Sequence, residues 1–453
     1  MKKIGVKEAP ILNTQQVKMT ITQTVLPFKL AATSESLTAH AGLALFGEFL
    51  YALGLSGIVD RELPEPGSAK GYKPSAFVSP LVLMLHRGGR TLEDLRKIRG
   101  DVGILTILQQ PAMPSSDATG DWLRRTGKND LNALTCASNR ITRRFLNRDA
   151  NKTYTLDIDA TQIVAEKREA QYTYKGEKGY MPMVGHLAEN GLVVGHEFRE
   201  GNAAPASENL EFIQMCERSL PKDKEISAVR ADSAAYQADI FNWCEETKKV
   251  FAIGARQDVA VKTVIKSIPE TAWVQFHDGA IAETVHCMNG TKKSFRLIVK
   301  RTAQQQDLLD ATVEPYRYHA IASNRENENA TTTMEWYAKR GDASENRIKD
   351  LKIGFNMEHM PCGTFDANAA FFAIGALAYN LYVGFRGLVL GEGFVRAQIQ
   401  TVRWKLYQTA GKIVRHGRSV FLKISASAMD LFTAIREKCA QLLQEGGLIP
   451  ETS

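Results

Sequence analysis

Three acidic residues stand out because each lies where a predicted element would hold a carboxylate in place. Asp159 ends a predicted strand at residues 154–159, and Asp232 ends another at residues 225–232. Glu345 lies in a polar segment that is predicted to be helical. Carboxylate oxygens are the ligands that Mg²⁺ prefers, and two such ions about 3.5–4 Å apart can serve both the nucleophile and the leaving oxygen of a phosphodiester. The three acids together therefore predict a two-metal site for phosphoryl transfer.

Each acid also has a structural alternative. Side chains alternate along a strand, so Asp157 shares a face with Asp159 and competes with it for the ligand role. Asp232 begins the sequence Asp-Ser-Ala-Ala, which is also typical of a turn or a helix cap. Glu345 is the fourth residue of Asp-Ala-Ser-Glu, which fits a capping box. The combination, more than any single residue, indicates the site.

The elements around the acids follow the order of a ribonuclease H-like domain. Periodicity predicts three strands, a helix, a strand, a helix and a strand, at residues 154–159, 183–187, 192–198, 206–220, 225–232, 234–247 and 250–254. Short β-rich pieces follow, and then a helical segment at residues 334–360. The predicted fold class is α/β, a ribonuclease H-like catalytic core with a β-rich insertion, flanked by helical N-terminal and C-terminal regions.

Six regions are predicted along the 453 residues. They are a polar arm (1–35), a helical DNA-binding domain (36–150), the first part of the catalytic core (151–257), the β-rich insertion (258–330), the glutamate-bearing helix of the core (331–365) and a helical, basic C-terminal region (366–453).

The segment around Glu345 resembles the DDE transposases of bacterial insertion sequences, in the cut-and-paste branch marked by Y-x-x-R-x-x-x-E-x-x-x-x-x-x-K. The matching residues are Tyr337, Arg340, Glu345 and Lys352. Asp159-Ala-Thr161 and Arg230-Ala-Asp232 match the first two acidic motifs. Four residues separate Arg340 from Glu345 where the family has three, whereas the spacing from Glu345 to Lys352 is intact. In an unbroken helix the extra residue would turn the glutamate by about 100°.

The resemblance implies a function for each matching residue. Asp159, Asp232 and Glu345 would hold two Mg²⁺ ions, with Mn²⁺ as an alternative, and Tyr337, Arg340 and Lys352 would grip phosphates of the transposon end. In this branch the enzyme nicks DNA, and the freed 3′-hydroxyl forms a hairpin, which is reopened before that hydroxyl attacks target DNA. The implied partners are double-stranded DNA, as terminal inverted repeats and as target, and a second copy of the chain in a homodimer on DNA.

The C-terminal region carries most of the evidence for a polyanionic partner. The chain has a net charge of +7, and residues 396–423 contain seven Lys or Arg residues and no acid. Such a segment fits a phosphate-contacting surface whose binding weakens as salt rises, and a solvated helix face is the alternative. The predicted DNA-contacting residues here are Arg403, Lys405, Lys412, Arg415 and Arg418.

Several smaller features have two interpretations. The loop at residues 174–179 is either a DNA contact near the metals or a solvated turn. Trp336 either stacks on a displaced base or packs in the core. His186 and His196 lie on neighbouring predicted strands and are interpreted as structural, in preference to a metal pair.

Cysteines and apolar segments indicate the compartment. The six cysteines form no C-x-x-C pair, which favours reduced, mostly buried thiols. The apolar window at residues 371–390 is interpreted as a buried helix, because it contains Asn380 and Arg386, and no membrane partner is expected. The expected location is the cytoplasm, on the bacterial nucleoid.

Two alternative functions stay open. One is a ribonuclease H-like nuclease that acts on branched or hybrid nucleic acid. The other is a DNA-binding regulator derived from a transposase that no longer cleaves.

Overall fold

The computed structural model describes residues 21–22, 29–68, 70–110, 113–304, 314–341 and 346–445, with only the backbone of residues 21–22 and 29–30. Glu345 and most of the predicted polar arm lie outside these ranges.

The N-terminal region is helical from residue 41 to residue 148, as its apolar periodicity predicts. The helix Ser75–Arg87 is mostly apolar, and its residues 77–86 are all buried by neighbouring elements, which is how such a helix is stable in water. Its elements are β1 (Ile21–Thr22), β2 (Lys29–Leu30), β3 (Ser36–Thr38), α1 (Ala41–Ala52), α2 (Leu55–Glu62), α3 (Ser75–Arg87), α4 (Leu95–Arg99), α5 (Val102–Ile107), α6 (Ser116–Arg124) and α7 (Lys128–Arg148).

Six strands begin at residue 153, helices and strands alternate from residue 209 to residue 254, and strands dominate from there to residue 323. Their bounds are β4 (Thr153–Ala160), β5 (Ile163–Val164), β6 (Gln171–Tyr172), β7 (Lys178–Tyr180), β8 (Met183–Leu187), β9 (Val193–Glu197), α8 (Asn209–Arg218), β10 (Glu225–Ala231), α9 (Ala238–Glu246), β11 (Val250–Gly254), α10 (Val259–Lys266), β12 (Val274–Phe276), β13 (Gly279–His286), β14 (Phe295–Ala303) and β15 (Tyr316–Ser323).

Nine of these strands form one sheet, in the order β12-β13-β14-β15-β11-β10-β4-β8-β9. Strands β4, β10 and β11 are parallel to one another, and the other neighbouring pairs are antiparallel. The segment predicted as a β-rich insertion therefore extends the edge of the main sheet through β15, which pairs with β11. The parallel strands β4 and β10 each carry a long buried run, as expected where both faces are covered.

The helical segment predicted at residues 334–360 begins and ends earlier than predicted. Its described parts are α11 (Ala330–Arg340), α12 (Asn346–Lys349) and a π-helical turn at Asp350–Gly354. Residues 355–360 are not helical, so the predicted end was six residues too late. A π-helical turn widens the helix, and such turns are frequent at functional sites.

Helix α13 (Phe365–Leu388) is the central helix of the core. It packs against α7 and α3, and its Asn380 bonds to both the amide and the carbonyl of Val193. Taken singly, it is the one helix in the described ranges that is long and apolar enough to cross a membrane, and its apolar window is wholly buried inside the protein. The prediction of a buried helix is confirmed.

The C-terminal region is not helical throughout, which corrects the prediction for residues 395–445. It contains α14 (Ile399–Val402), a π-helical turn at Arg403–Tyr407, β16 (Gly411–His416), β17 (Ser419–Lys423) and α15 (Met429–Gln444). Strands β16 and β17 form a hairpin around Gly417, whose φ of 59° is favourable for glycine and suits a tight turn. Strand β16 also pairs with β3, so the hairpin joins the N-terminal region.

Candidate functional site

Two of the predicted acids come together at one edge of the sheet. Strands β4 and β10 are parallel neighbours, and Arg230 lies opposite Asp157 in their register. Two residues further along each strand are Asp159 and Asp232, so both carboxylates reach the carboxyl-terminal edge of the sheet side by side. Asp232 also caps the turn that follows, by accepting a hydrogen bond from the Ala234 amide at 3.0 Å. The cap and ligand interpretations of Asp232 are therefore compatible.

Asp157 and Asp159 differ sharply although they share a strand face. Asp157 is completely buried, and its two oxygens accept hydrogen bonds from Arg230 at 2.7 and 2.8 Å. The Asp159 side chain is 25% exposed. Because a buried bidentate ion pair engages both oxygens of Asp157, the geometry favours Asp159 as the ligand.

Helix α11 brings Tyr337 and Arg340 to the same edge. Arg340 donates hydrogen bonds to the Asp159 carboxylate at 3.1 Å and to the Ile158 carbonyl at 3.2 Å. Tyr337 is buried beside Gly254, where an added Cβ would lie 3.1 Å from the tyrosine hydroxyl. Gly254 therefore leaves room for the tyrosine.

The electrostatics of Tyr337 place its hydroxyl close to both acids. Burial raises the pKa of Tyr337, the positive charge of Arg340 opposes that shift, and the charges of Asp232 and Asp159 reinforce it. Tyr337 is therefore a neutral hydrogen-bonding group near neutral pH.

Lys352 reaches the loop that follows Asp159. It lies in the π-helical turn, and its Nζ donates a hydrogen bond to the Gln162 carbonyl at 2.7 Å. Burial lowers the pKa of Lys352, and the positive charge of Lys175 lowers it further. The negative charges of Glu358 and Asp159 oppose this shift, and Glu358 has the larger effect of the two. The loop at residues 174–179 thus brings a second positive charge, that of Lys175, to act on Lys352.

The donor set fits a divalent cation of the Mg²⁺ type, since two carboxylates with hard oxygens meet on rigid strand ends. Among the residues that the structure describes, no group of three or more acidic, histidine or cysteine side chains is placed to hold a metal ion. Glu345 lies outside these residues, so its predicted part in the site stays a prediction.

Helix α11 is anchored to the sheet by a contact that sequence reasoning missed. Arg230 donates a hydrogen bond to the Trp336 carbonyl at 2.6 Å as well as pairing with Asp157. The Trp336 ring lies 5.1 Å from the Arg230 guanidinium and 4.6 Å from that of Arg325. These contacts support the packing interpretation of Trp336. Asp157 lies two residues before Asp159, and Arg230 lies two residues before Asp232. Aligning the two strands in parallel, with the two acids side by side, would therefore have predicted that Asp157 and Arg230 meet.

His186 is buried, and His196 is partly buried. Among the residues that the structure describes, no hydrogen-bond partner is found for either ring nitrogen of His186 or for Nε2 of His196. Burial lowers the pKa of His186 well below its usual range and that of His196 to about 4. Both rings are therefore neutral near neutral pH, and their burial supports the structural interpretation.

One residue that was predicted to lie on the basic surface, Arg403, lies in the core instead. Arg403 is buried, and its guanidinium donates hydrogen bonds to the carbonyls of His86, Leu85 and Gly354 at 2.7, 2.8 and 2.6 Å. This position contradicts the prediction that Arg403 contacts DNA. A basic residue in a basic segment was assigned to the surface by its type alone, although it lies in a helical turn between buried Val402 and Leu406.

The other predicted cations of the C-terminal region are accessible. Lys405 is exposed beside Trp404, whose exposed fraction is 74%. Lys412 pairs with Glu35, and Arg415 donates a hydrogen bond to the Thr106 hydroxyl. Arg418 is exposed at the tip of the hairpin.

The thiols also follow the expectation, since all six cysteines are free and four of them are buried.

Comparison with known proteins identifies the family. The family model described as "Transposase DDE domain group 1" matches residues 24–444. A search of curated proteins finds no match. Among solved structures, the cryo-EM structure of a piggyBac transposase synaptic complex with hairpin DNA is similar, with 11% identity, 93% of this chain and 89% of that chain covered, and a TM-score of 0.45. Because that TM-score is below 0.5, the family assignment depends on the family model, which spans most of the sequence. The chain therefore belongs to the transposase family with a DDE domain of group 1.

Proposed function

We propose that this protein is a cut-and-paste DNA transposase of the insertion-sequence type, in the branch with the Y-R-E-K signature. It would bind the terminal inverted repeats of its element, cleave the DNA through hairpin intermediates and join the 3′ ends to target DNA. The observation that carries the proposal is the meeting of Asp159 and Asp232 at adjoining strand ends, with Arg340 on Asp159 and Tyr337 beside both.

The strand order supports a ribonuclease H-like core. Strands β9, β8 and β4 are antiparallel neighbours, and β10 and β11 continue the sheet parallel to β4. In chain order β4 and β10 are the first and fourth of these five strands, and Asp159 and Asp232 lie at their carboxyl-terminal ends.

Two divalent cations, Mg²⁺ or Mn²⁺, bound by Asp159, Asp232 and Glu345, would supply charge neutralisation at the reacting phosphate. The protein's other contribution would be to position the reacting phosphate and hydroxyl, because one site must perform successive phosphoryl transfers. Arg340 already lies on the Asp159 carboxylate and can turn its other N–H groups to a phosphate. Lys352 and Lys175 extend this positive charge along the loop after β4.

Cleavage of a defined duplex tests the proposal. The substrate carries the inverted repeats that we expect to flank this reading frame, and the reaction compares wild type with Asp232→Ala in Mg²⁺. We expect hairpin ends and joined products from wild type, and neither product from the variant. Nicking without joining would favour the nuclease, and binding without cleavage by either protein would favour the regulator.

We further propose a homodimer on DNA in the bacterial cytoplasm, because joining two ends requires both to be held in one complex. Light scattering of the protein with and without an end duplex would test the dimer, and a complex of one chain with one duplex would contradict it.

A further inference from the structure

A second cationic surface lies away from the acids. A groove of about 570 Å³ runs between helices α4 and α5 and the hairpin β16–β17. Its walls include Tyr72, Arg99, Gln109 and Arg415, and none of its lining residues is an acid. The groove shares no lining residue with the site around Asp159.

The two arginines that line the groove are available to a ligand. Arg99 is exposed, and within the described ranges no carboxylate pairs with it. Arg415 is exposed on β16, and its guanidinium donates a long hydrogen bond of 3.4 Å to the Thr106 hydroxyl. The acid closest in sequence, Asp101, is already engaged by the Thr38 hydroxyl and the Ile104 amide. Within the described ranges, neither arginine of the groove is therefore held in an ion pair.

The other polar groups suit a nucleic acid backbone. Gln109 and Gln110 bring side-chain amides that both donate and accept hydrogen bonds. Gln109 has a φ of 53°, a conformation that non-glycine residues rarely adopt and that is often retained at ligand-contacting positions. Arginine at two walls with neutral amides between them matches the phosphates and sugars of DNA.

We propose that this groove binds the sugar–phosphate backbone of the transposon-end duplex, as a contact separate from the acidic site. The proposal rests on the proposed function, which supplies DNA as the partner. The pairing of β16 with β3 contributes to this site, because it joins the hairpin that carries Arg415 to the N-terminal region that carries Arg99.

Binding of a labelled end duplex at several salt concentrations tests the groove. The double variant Arg99→Ala/Arg415→Ala is compared with Lys222→Ala/Lys262→Ala, which removes two exposed cations elsewhere. We expect the groove variant to lose affinity at least tenfold, and its slope of log affinity against log salt to fall by about 1.8, since each phosphate contact contributes about 0.9. The matched control should keep the wild-type slope.

Two further measurements separate the groove from other causes. Arg99→Lys/Arg415→Lys keeps both charges and should restore the salt slope, and thermal unfolding should show that all variants fold. Wild-type affinity and slope in the alanine variant would overturn the proposal. So would a groove that binds an acidic peptide in place of DNA, seen as poly-glutamate binding that the alanine variant loses and that does not displace the bound DNA. Failure of wild type to cleave DNA would instead refute the proposed function and leave this binding result interpretable.

Discussion

At the residue scale, the central contact of the site is the ion pair between Arg340 and Asp159. The Arg340 guanidinium neutralises Asp159 in the protein alone. Under the proposed function, the same guanidinium would turn to a phosphate of bound DNA, and the Asp159 carboxylate would be left to hold a metal ion. The site is thus kept from carrying uncompensated negative charge, which would otherwise raise the pKa values of neighbouring carboxyl groups.

The acids themselves can be tested by isosteric substitution. We expect Asp159→Asn and Asp232→Asn each to slow DNA nicking by at least about 1,000-fold, because the metal ligands are removed while shape is kept. DNA affinity should stay within a few-fold of wild type. Asp223→Asn is the matched control, since Asp223 is an exposed acid just before β10, at the opposite end of that strand. Nicking kinetics and filter binding measure both quantities, and a cleaving Asp232→Asn variant would contradict the assignment.

Replacing Asp157 and replacing Asp159 should change the free energy of unfolding by different amounts. Asp157→Asn leaves the buried Arg230 without its carboxylate, which should lower the free energy of unfolding by about 3–5 kcal/mol. Asp159→Asn removes a partly exposed acid and should change it by less than about 1 kcal/mol. Urea denaturation of both variants measures the difference. Equal destabilisation would show that Asp157 is not the structural member of the pair.

Asp350 gives a pH-dependent prediction. Burial raises its pKa to about 6, with Arg386, Arg403 and Lys349 opposing the shift. A carboxyl group with a raised folded-state pKa favours folding below its unfolded pKa, and that contribution is lost as pH rises through 6. Asp350→Asn should therefore gain stability relative to wild type by about 1–2 kcal/mol between pH 4 and pH 7. A difference in unfolding free energy that does not change with pH would contradict the shift.

At the element scale, the C-terminal segment contains both a buried structural arginine and an exposed one. Arg403 ties three carbonyls from two regions of the chain, whereas Arg418 lies exposed at a hairpin tip. We expect Arg403→Ala to lower stability by about 3 kcal/mol, because three buried acceptors lose their donor. Arg418→Ala should change stability by less than about 0.5 kcal/mol and lower the salt slope of DNA binding by about 0.9. Thermal unfolding and binding at several salt concentrations distinguish them, and the reverse pattern would refute this division.

Much of the element order was predictable from the sequence. The strand predicted at residues 250–254 has those bounds, and the strand predicted at residues 154–159 extends by one residue at each end. Alternation and apolar runs are local signals, so they identify such strands well. The hairpin at residues 411–423 was missed because its many cations were interpreted as a helix face, and its glycine turn was overlooked.

At the scale of the whole molecule, the site depends on pairings that no local pattern specifies. Asp159 and Asp232 are 73 residues apart and meet only because β4 and β10 are parallel neighbours. Their positions at strand ends were predictable, and so was the order of elements around them. The ion pair of Asp157 with Arg230 and the burial of Arg403 were not, because both depend on which distant segments pack together.

Hydroxyl-radical cleavage of the protein tests most directly whether these distant residues hold one metal centre. Fe²⁺ replaces Mg²⁺, and ascorbate with peroxide generates radicals that cut the backbone beside the bound ion. We predict cuts near residues 159 and 232 and within residues 337–352 of the same chain, and their loss in the Asp159→Asn/Asp232→Asn double variant. Cuts confined to other segments, or cuts near residues 159 and 232 that persist in the double variant, would contradict the account.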